Sequence, residues 1–339
     1  MSKYRILALV HESLIPPPKI DKTKINRIET EWITESDVIE HLKKRGHSVK
    51  VLGLYSDLAP IKQKISEFKP HIIFNILEEF QEQRHHLHNL LSYLELLGVK
   101  YTGCNPQAMT ITVDKSMTKK VLKYHGINTP HFLVFKKGMS IKIPKNLNYP
   151  LIVKCLTEEG SLGLSKASIV HNRDKLKERI LYLHKKINDH AIVEEFVEGR
   201  ELFVGVIGNK HPKVLPTWEL IFENAETPEK EIYSARAKMN SDYRKRKGIR
   251  DQRAKLDKDL EKKINKTVLK AYKALGISGY ARFDLRIDQT GTIHIIEVNP
   301  NPDLAFDDEF ARSAIHQGIS YTQLLERIIK LGLNYNPIS

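Results

Sequence analysis

One segment, Gly279 to Asp303, constrains the fold of this chain more than any other. Its sequence, GYARFDLRIDQTGTIHIIEVNPNPD, has two runs of alternating apolar and polar residues on either side of a turn at Asp288–Gly291. This pattern predicts a β-hairpin. Because side chains alternate between the two faces of a strand, Arg282, Asp284 and Arg286 are predicted to share one face. The hairpin therefore carries a charged face on an otherwise apolar scaffold.

The second strand of the hairpin adds further polar groups to that face. The residues predicted to share one of its sides are Ile293, Ile295, Glu297 and Asn299. If Ile287 pairs with Thr292 across the turn, Arg282 lies opposite Glu297 and Asp284 lies diagonal to it. Burying two carboxylates, an amide oxygen and a guanidinium together is costly unless a cation and an anion accompany them. Since Mg²⁺ takes oxygen ligands and keeps positions for water or phosphate, the face indicates a metal–nucleotide site. The simpler alternative is a solvated hairpin with ordinary surface charge.

The composition excludes several classes of protein. With 339 residues, 41% of them hydrophobic, the chain can form two or three packed domains. No apolar run is long enough to span a bilayer, so we expect no membrane association. The first apolar run, Ile6–Val10, predicts a β-strand rather than a secretory signal. Two cysteines give no disulfide framework, which predicts a reducing, cytoplasmic location.

The chain is basic, with a formal net charge of +14. One basic run is Tyr243 to Lys263, where acids are interleaved with the basic residues at helical spacing and no aromatic stacking pattern is present. This pattern favours a solvated face over binding to nucleic acid. The positive charge also attracts anionic nucleotides and carboxylate substrates.

The first hundred residues alternate strands with helices. The predicted strands are RILALV, HSVKVLGL and HIIFNIL, and the predicted helices cover 29–45, 58–68 and 85–97. Such alternation predicts an open parallel α/β sheet with function at the carboxyl ends of the strands. No glycine-rich dinucleotide fingerprint follows the first strand, which argues against NAD binding.

Two further units follow. The second has a helix at 114–125, strands in HFLVF and PLIVKC, a turn-rich loop at 157–163 and a charged helix at 173–186. The third has strands in HAIVEEFVEGRELFVGVIG, a helix at 260–275, the hairpin and a final helix at 321–331. Residues 223–253 are predicted to form a long polar loop, which is typical of a mobile lid or an insertion.

Three weaker signals precede the hairpin. Lys154 ends an apolar strand before the loop Gly160–Gly163, and an ammonium beside such a loop can hold phosphate, although this is not a Walker motif. The run Glu194–Val197, followed by Glu201, could serve adenine and ribose; the alternative is an edge strand with outward acids. Lys115 and Lys119 lie one helical turn apart, and most such pairs are solvated.

The order of these motifs resembles the ATP-grasp superfamily and, within it, the D-alanine–D-alanine ligase group. The matching blocks are FNILEEF, YTGCNP, DKSMTK with GINTP, LIVK with GSLGLS, VEEFVEGRELFVGVIG, GYARFDLR and IEVNPNPD. The resemblance implies an α/β and α+β protein. It would have a Rossmann-like domain over 1–108, a central ATP-grasp lobe over 109–191 and a C-terminal lobe with the Mg-ATP site over 192–339.

The resemblance also implies roles for individual residues. Contacts with ATP phosphates are implied for Lys115 and Lys154, adenine binding for Glu194, Glu195 and Val197, and ribose binding for Glu201. The residues implied to bind Mg²⁺, or Mn²⁺ in its place, are Asp284, Glu297 and Asn299. Catalytic roles are implied for Arg282, Ser161 and Lys238, with Arg282 stabilising the acyl-phosphate and tetrahedral species.

The implied reaction is ATP-dependent ligation of a small-molecule carboxylate to an amine, each an amino acid or peptide, through an acyl phosphate. The family's members are often homodimers. Departures concern the substrate: LEEFQEQRHH replaces a glycine-rich loop, Met239 replaces a lid tyrosine, and NPNPDLAFDDEFARSA is acidic where a second D-alanine carboxylate would sit. Asp303, Asp307 and Asp308 would suit a cationic or amine-rich acceptor. The alternatives are a genuine D-alanine–D-alanine ligase and a non-catalytic ATP-binding regulatory protein.

Overall fold

The N-terminal part of the chain is an open parallel sheet. The computed structural model describes residues 3–19, 25–157 and 162–337. This part consists of β1 (Arg5–His11), α1 (Ile33–Lys44), β2 (Ser48–Leu54), α2 (Ala59–Phe68), β3 (Ile72–Asn75) and α3 (Leu87–Leu96). The strand order is β2-β1-β3, and both pairs are parallel, which confirms the predicted α/β arrangement. Helix α1 begins later than predicted because residues 26–30 form a turn, in which Thr30 Oγ1 donates to the Asn26 carbonyl at 2.8 Å.

A smaller antiparallel sheet follows. Its elements are α4 (Pro106–Val113), α5 (Lys115–Tyr124), β4 (Phe132–Phe135), β5 (Leu151–Cys155), β6 (Ile169–Val170), α6 (Arg173–Tyr182) and β7 (Ala191–Glu195). The strand order β4-β7-β5-β6 makes β7 a central strand. Helix α6 ends at Tyr182, and residues 183–187 form a wider π-type turn, so the predicted helix at 173–186 is α-helical only in its first part.

The third sheet is the largest and is also antiparallel. Its elements before the hairpin are β8 (Arg200–Ile207), β9 (Lys213–Val214), β10 (Trp218–Phe222), α7 (Ala235–Met239), α8 (Ser241–Lys247), β11 (Ile249–Arg253) and α9 (Lys258–Ala274). The hairpin and the chain end contribute β12 (Tyr280–Ile287), β13 (Ile293–Pro300), α10 (Glu309–His316) and α11 (Tyr321–Leu333). The strand order is β11-β10-β8-β12-β13, with β9 paired to β8. The hairpin therefore lies beside the strand that carries Glu201.

Helix α9 supports the back of this sheet. Its buried residues Ile264, Val268, Ala271 and Tyr272 recur at helical spacing on one face. They share a core cluster with Phe283, whose ring centroid lies 6.4 Å from that of Tyr272. Although α9 has 17 residues, no helix in the described ranges is both long and apolar enough to cross a membrane.

Helix α11 joins the end of the chain to its beginning. Leu324, Leu325 and Ile328 are buried in one cluster with Ile6 and Ile72 of the first sheet. Burying a large aliphatic side chain contributes about 1.5–3 kcal/mol, so this contact holds the first and third sheets firmly together. The carboxyl ends of the parallel strands are thereby fixed near the end of β13.

Residues 223–253 are not the long loop that their polar sequence predicts. They contain α7, α8 and β11, and β11 pairs with β10 in the third sheet. The side chains of Ser234 and Asn240 cap the two helices at their N-termini, and Gly248 ends α8 with a φ of 60°. The prediction failed because these short helices are defined by caps rather than by a long apolar repeat.

Candidate active site

A cleft lies between the second and third sheets, and most of the predicted nucleotide-site residues line it. It contains about 840 Å³ of empty space, part of it open to solvent. The predicted residues on its walls are Lys115, Lys154, Glu194, Glu195, Val197, Glu201, Lys238, Asp284 and Glu297. Arg282 and Asn299 each donate a hydrogen bond to Asp284. Ser161 lies outside the described residues.

A β-bulge sets the register of the hairpin. Asp284 pairs with Glu297, whereas the next residue on β12 pairs with Ile295, so Ile296 is left out of the register. The predicted pairing is therefore wrong: Arg282 lies opposite Asn299, and Asp284 lies directly opposite Glu297. An extra residue on one strand moves every side chain beyond it to the opposite face of the sheet.

The bulge also corrects the predicted face of β13. Ile293 and Ile295 belong to the hydrophobic core, whereas Glu297 lines the cleft. The four residues predicted to share a side are thus divided between two faces. The prediction for β12 is confirmed, since the residues between Arg282, Asp284 and Arg286 are all in the core.

Asp284 is held by a bidentate interaction. Arg282 Nε lies 2.8 Å from Asp284 Oδ1, and Nη2 lies 3.1 Å from Oδ2. Asn299 Nδ2 donates to the same Oδ2 at 3.1 Å. Burial raises the pKa of Asp284, and Glu297 adds repulsion, although Arg282 opposes both effects. The carboxylate therefore sits where additional positive charge would stabilise it.

Neighbouring lysines stabilise the ionised form of Glu297. Its Oε1 lies 3.0 Å from Lys115 Nζ. Burial opposes ionisation, but the charges of Lys115 and Lys154 outweigh it and lower the pKa of Glu297 to about 2. This carboxylate is available as an anionic oxygen donor throughout the physiological pH range.

Glu194 is bound between two lysines in the floor of the cleft. Its carboxylate lies 3.2 Å from Lys119 Nζ and 3.0 Å from Lys154 Nζ, and its side chain is 1% exposed. Burial opposes its ionisation, but the two lysines lower its pKa. Since β7 is a central strand and Glu194 is buried, the alternative of an edge strand with outward acids is wrong.

The lysines of α5 are buried as well. Lys115 is 7% exposed and Lys119 is 1% exposed, so the solvated alternative is wrong for both. Lys119 Nζ also donates to Thr129 Oγ1 at 3.1 Å and to the Ile296 carbonyl at 2.9 Å. No role for Lys119 is predicted from the sequence. Its place on the same helical face as Leu122 is the signal that could have indicated burial.

Arg286 is a further residue of the cleft that received no role from the sequence. Its Nε and Nη2 donate to Glu201 Oε2 at 3.1 and 2.6 Å, and its Nη1 donates to the Val197 carbonyl at 2.9 Å. Its guanidinium also stacks 4.9 Å from the ring centroid of Phe196. Arg286 therefore fixes Glu201 against the segment that follows β7.

Two segments meet across the mouth of the cleft. Lys166 follows the loop after β5, and its Nζ lies 2.8 Å from Glu231 Oε1 of the 223–253 segment. Lys238, on α7, points its Nζ at the face of Tyr233, 5.1 Å from the ring centroid. Tyr233 Oη in turn accepts a hydrogen bond from Arg244 at 2.9 Å. The 223–253 segment thus contributes both a wall residue and a cross-cleft ion pair.

The donor set fits a hard divalent cation. Among the described residues, no group of three or more His, Cys, Asp or Glu is arranged to hold a metal. Asp284 and Glu297 nevertheless pair across the strands, with the Asn299 amide beside them. Mg²⁺ commonly uses only one or two carboxylates and takes its remaining ligands from water and phosphate, so this set is sufficient.

Two antiparallel sheets enclose this cleft, and its walls carry lysines, an arginine and the paired carboxylates of Asp284 and Glu297. This arrangement is that of an ATP-grasp ligase, which forms C–N bonds. A family model described as "D-ala D-ala ligase C-terminus" matches residues 120–330. The chain is 32% identical to D-alanine–D-alanine ligase of Aquifex aeolicus over 296 residues, 87% of this chain and 93% of that protein. It therefore belongs to the D-alanine–D-alanine ligase family.

Solved structures share its fold. D-alanine–D-alanine ligase of Bacillus anthracis, solved with ATP, superposes with a TM-score of 0.74 at 23% identity and covers 97% of each chain. The VanG D-Ala:D-Ser ligase of Enterococcus faecalis superposes with a TM-score of 0.70 at 20% identity, covering 97% of this chain and 99% of that one. These similarities extend over the N-terminal sheet as well as the two sheets of the cleft.

Proposed function

We propose that this protein joins a carboxylate to an amine through an acyl phosphate, and that its amine substrate is not D-alanine. The observation that best supports this proposal is the arrangement of the cleft. Lys115 and Lys154 lie beside the paired acids Asp284 and Glu297, so cationic phosphate contacts and metal ligands share one cavity. The same three-unit organisation supports the domain boundaries at 108/109 and 191/192, which remain predictions.

The nucleotide would lie along the cleft. Lys115 and Lys154 would contact its phosphates, and Lys238 would approach them from the 223–253 segment. At the other end, Glu194, Glu195 and Val197 would bind adenine, and Glu201 would bind the ribose. Arg286 contacts both Val197 and Glu201, so it would fix the adenine-binding and ribose-binding residues relative to each other. Most of the charge on Glu194 is already balanced by lysines, so we expect it chiefly to orient Lys154.

Asp284, Glu297 and the Asn299 amide oxygen would hold Mg²⁺, or Mn²⁺ in its place. When bound, this ion supplies positive charge to the phosphate oxygens. The protein's own cations, Arg282 and Lys115, already contact the two carboxylates, so they would have to share them with the metal.

The reaction takes two steps. One oxygen of the substrate carboxylate attacks the γ-phosphorus of ATP, and the bond to the β–γ bridging oxygen breaks with release of ADP. The amine nitrogen then attacks the acyl carbon, and phosphate leaves with the C–O electron pair while the nitrogen loses a proton. Arg282 would offset the negative charge of the tetrahedral species, and we expect Ser161 and Lys238 to assist the reaction.

Two alternatives are separable by experiment. A genuine D-alanine–D-alanine ligase is favoured by the 32% identity to the Aquifex aeolicus enzyme over nearly its whole length. A regulatory ATP-binding protein would not need Arg282, which here is bound tightly to Asp284. The acids after β13 oppose the D-alanine alternative because they would repel a second substrate's carboxylate.

The test is release of ADP and phosphate from Mg-ATP across a panel of amino acids and dipeptides, with product masses measured. Asp284→Asn and Glu297→Gln should each lower stimulated release by about 10²–10³-fold. Glu223→Gln, which changes an exposed acid just after β10, should leave stimulated release unchanged. Rapid formation of D-alanyl-D-alanine would support the family's namesake activity. Failure of every substrate pair to stimulate release would favour the regulatory protein, and unaltered release in both site variants would contradict the metal assignment.

A further inference from the structure

An acidic cluster lies beside Arg282, at the contact between the first and third units. It consists of Glu35, at the start of α1, of Asp303 and Asp308, between β13 and α10, and of Glu309, the first residue of α10. Arg282 links this cluster to the nucleotide cleft, because one edge of its guanidinium binds Asp284 and its Nη1 lies 3.5 Å from Glu309 Oε2. Thr34 closes the contact by donating to Asp303 Oδ1 at 2.5 Å.

Glu35 is the most informative member of the cluster. The residue is 3% exposed, and its Oε2 has no hydrogen-bond partner within the described part of the chain. Burial raises its pKa to about 8, and repulsion from Glu78 and Asp303 adds to that effect, which places the carboxyl close to the other acids. A buried carboxyl oxygen without a partner is costly, and a cationic ligand would remove that cost.

The other acids of the cluster share too little positive charge. Burial raises the pKa of Asp303 and of Asp308, and for Asp308 the charges of Glu309 and Asp303 raise it further. Arg282 opposes these effects, but its charge is shared with Asp284 and Glu309, to which it is also paired. These acids therefore lack the positive charge that would keep all of them ionised, and a bound cation would supply it.

Asp307 is not part of the cluster. Both of its carboxylate oxygens accept hydrogen bonds from Arg27, at 2.9 and 2.7 Å, and Arg27 also binds Asp37 at 2.6 Å. The sequence-based expectation that Asp303, Asp307 and Asp308 act together is thus corrected. The cluster contains Glu35 instead of Asp307, and Glu35 lies on α1, nearly 270 residues before Asp303 in the chain.

We infer that the amine substrate carries a second, cationic group, an ammonium or a guanidinium, and that Glu35, Asp303 and Asp308 bind it. This inference rests on the proposed ligase function and identifies the class of its second substrate. Since the cluster adjoins Arg282, a group bound there would hold the substrate's nucleophilic amine next to the reacting acyl carbon. A carboxylate at the same position would meet a negative potential and be rejected.

The first experiment compares amines that differ only in the cationic group. The pairs are 2,4-diaminobutyrate with 2-aminobutyrate and ornithine with norvaline, each as both enantiomers, with kcat/KM taken from ADP release and products checked by mass. We expect the cationic member of a pair to be used at least about 10-fold better, a lower limit well below the roughly 10⁴–10⁵-fold that a site built around a polar contact can reach. Equal or better use of the neutral members would overturn the inference.

Variants locate the effect. Glu35→Gln and Asp308→Asn keep the shape of the side chains, and asparagine also keeps the N-cap of α10. Each should raise KM for the cationic amine by about 10-fold and leave kcat and the neutral amine nearly unchanged. Glu40→Gln, on the same helix α1 but paired with Lys44, is the matched control and should retain the preference. Equal loss for cationic and neutral amines would mean that the acids are only structural.

A binding measurement separates failure of this inference from failure of the ligase function. With Mg-ADP present, 1,4-diaminobutane should raise the Tm of the wild-type protein, the uncharged 1-butanol should not, and Glu35→Gln should abolish the shift. If no substrate pair is turned over, the ligase proposal fails, and this shift still decides whether the cation site exists. If D-alanine alone is turned over and the diamine produces no shift, the ligase stands and the cation site is refuted.

Discussion

The buried triad of Lys119, Glu194 and Lys154 gives the clearest prediction about stability. Glu194→Gln preserves the shape of the side chain but removes the charge that both lysines contact at 3.0–3.2 Å. Lys119 cannot reach solvent, since its side chain is 2% exposed. Removing one partner from a buried ion pair costs about 3–5 kcal/mol, because the remaining charge is left without compensation.

The assay is equilibrium unfolding in urea at neutral pH. A loss of that size should lower the midpoint by about 1–1.7 M for a urea dependence near 3 kcal/mol/M. The double variant Glu194→Gln/Lys119→Met removes the stranded ammonium and should recover at least half of the loss. Lys154 can remain charged in the double variant because its side chain is 16% exposed.

The control is Glu178→Gln, which removes an exposed acid paired with Lys175 and should shift the midpoint by little. A midpoint for Glu194→Gln that matches this control would refute the argument. A double variant less stable than Glu194→Gln alone would also refute it, because the stranded lysine could not then be the cause of the loss.

Two further predictions concern the mouth of the cleft and pH. Lys166→Ala removes the ion pair with Glu231, and since Lys166 is largely exposed the pair contributes at most about 1 kcal/mol. We therefore expect ADP release without ligated product to rise by up to about 5-fold. The control Lys175→Ala should not change the ratio of ADP to product. The folded-state pKa of Glu297, about 2, lies below its unfolded value of about 4.3. Its contribution to stability is therefore fully present above about pH 4.3 and is lost as pH falls toward 2, by up to about 3 kcal/mol. In metal-free buffer, Glu297→Gln should flatten the wild-type decline in unfolding free energy over that range, and an unchanged slope would contradict this assignment.

The sequence predicted the parts of the fold whose patterns are local. The first sheet follows from apolar strand runs separated by helices, and its parallel order is confirmed. The charged face of β12 follows from period-two alternation and is likewise confirmed. Both signals depend on neighbouring residues only, which a single sequence records directly.

Other features depend on geometry that alternation cannot show. The bulge at Ile296 reverses the face of Glu297, and nothing in the strand pattern marks an extra residue. Burial of Lys119, on helix α5, depends on Glu194 of strand β7, 75 positions away. Glu35 meets Asp303 only because α11 and α1 pack on the first sheet. The homodimer, the absence of nucleic-acid binding and the cytoplasmic location stay predictions from sequence.

The central claim, ligation through an acyl phosphate, is tested most directly by following oxygen. The acid that stimulates ADP release is supplied with ¹⁸O in both carboxylate oxygens, together with Mg-ATP and the amine that yields product, and the released phosphate is analysed by mass spectrometry. We predict one ¹⁸O per phosphate. The carboxylate oxygen that attacks the γ-phosphorus stays on the phosphorus when the amine displaces phosphate from the acyl carbon. Unlabelled phosphate accompanying labelled product would contradict it.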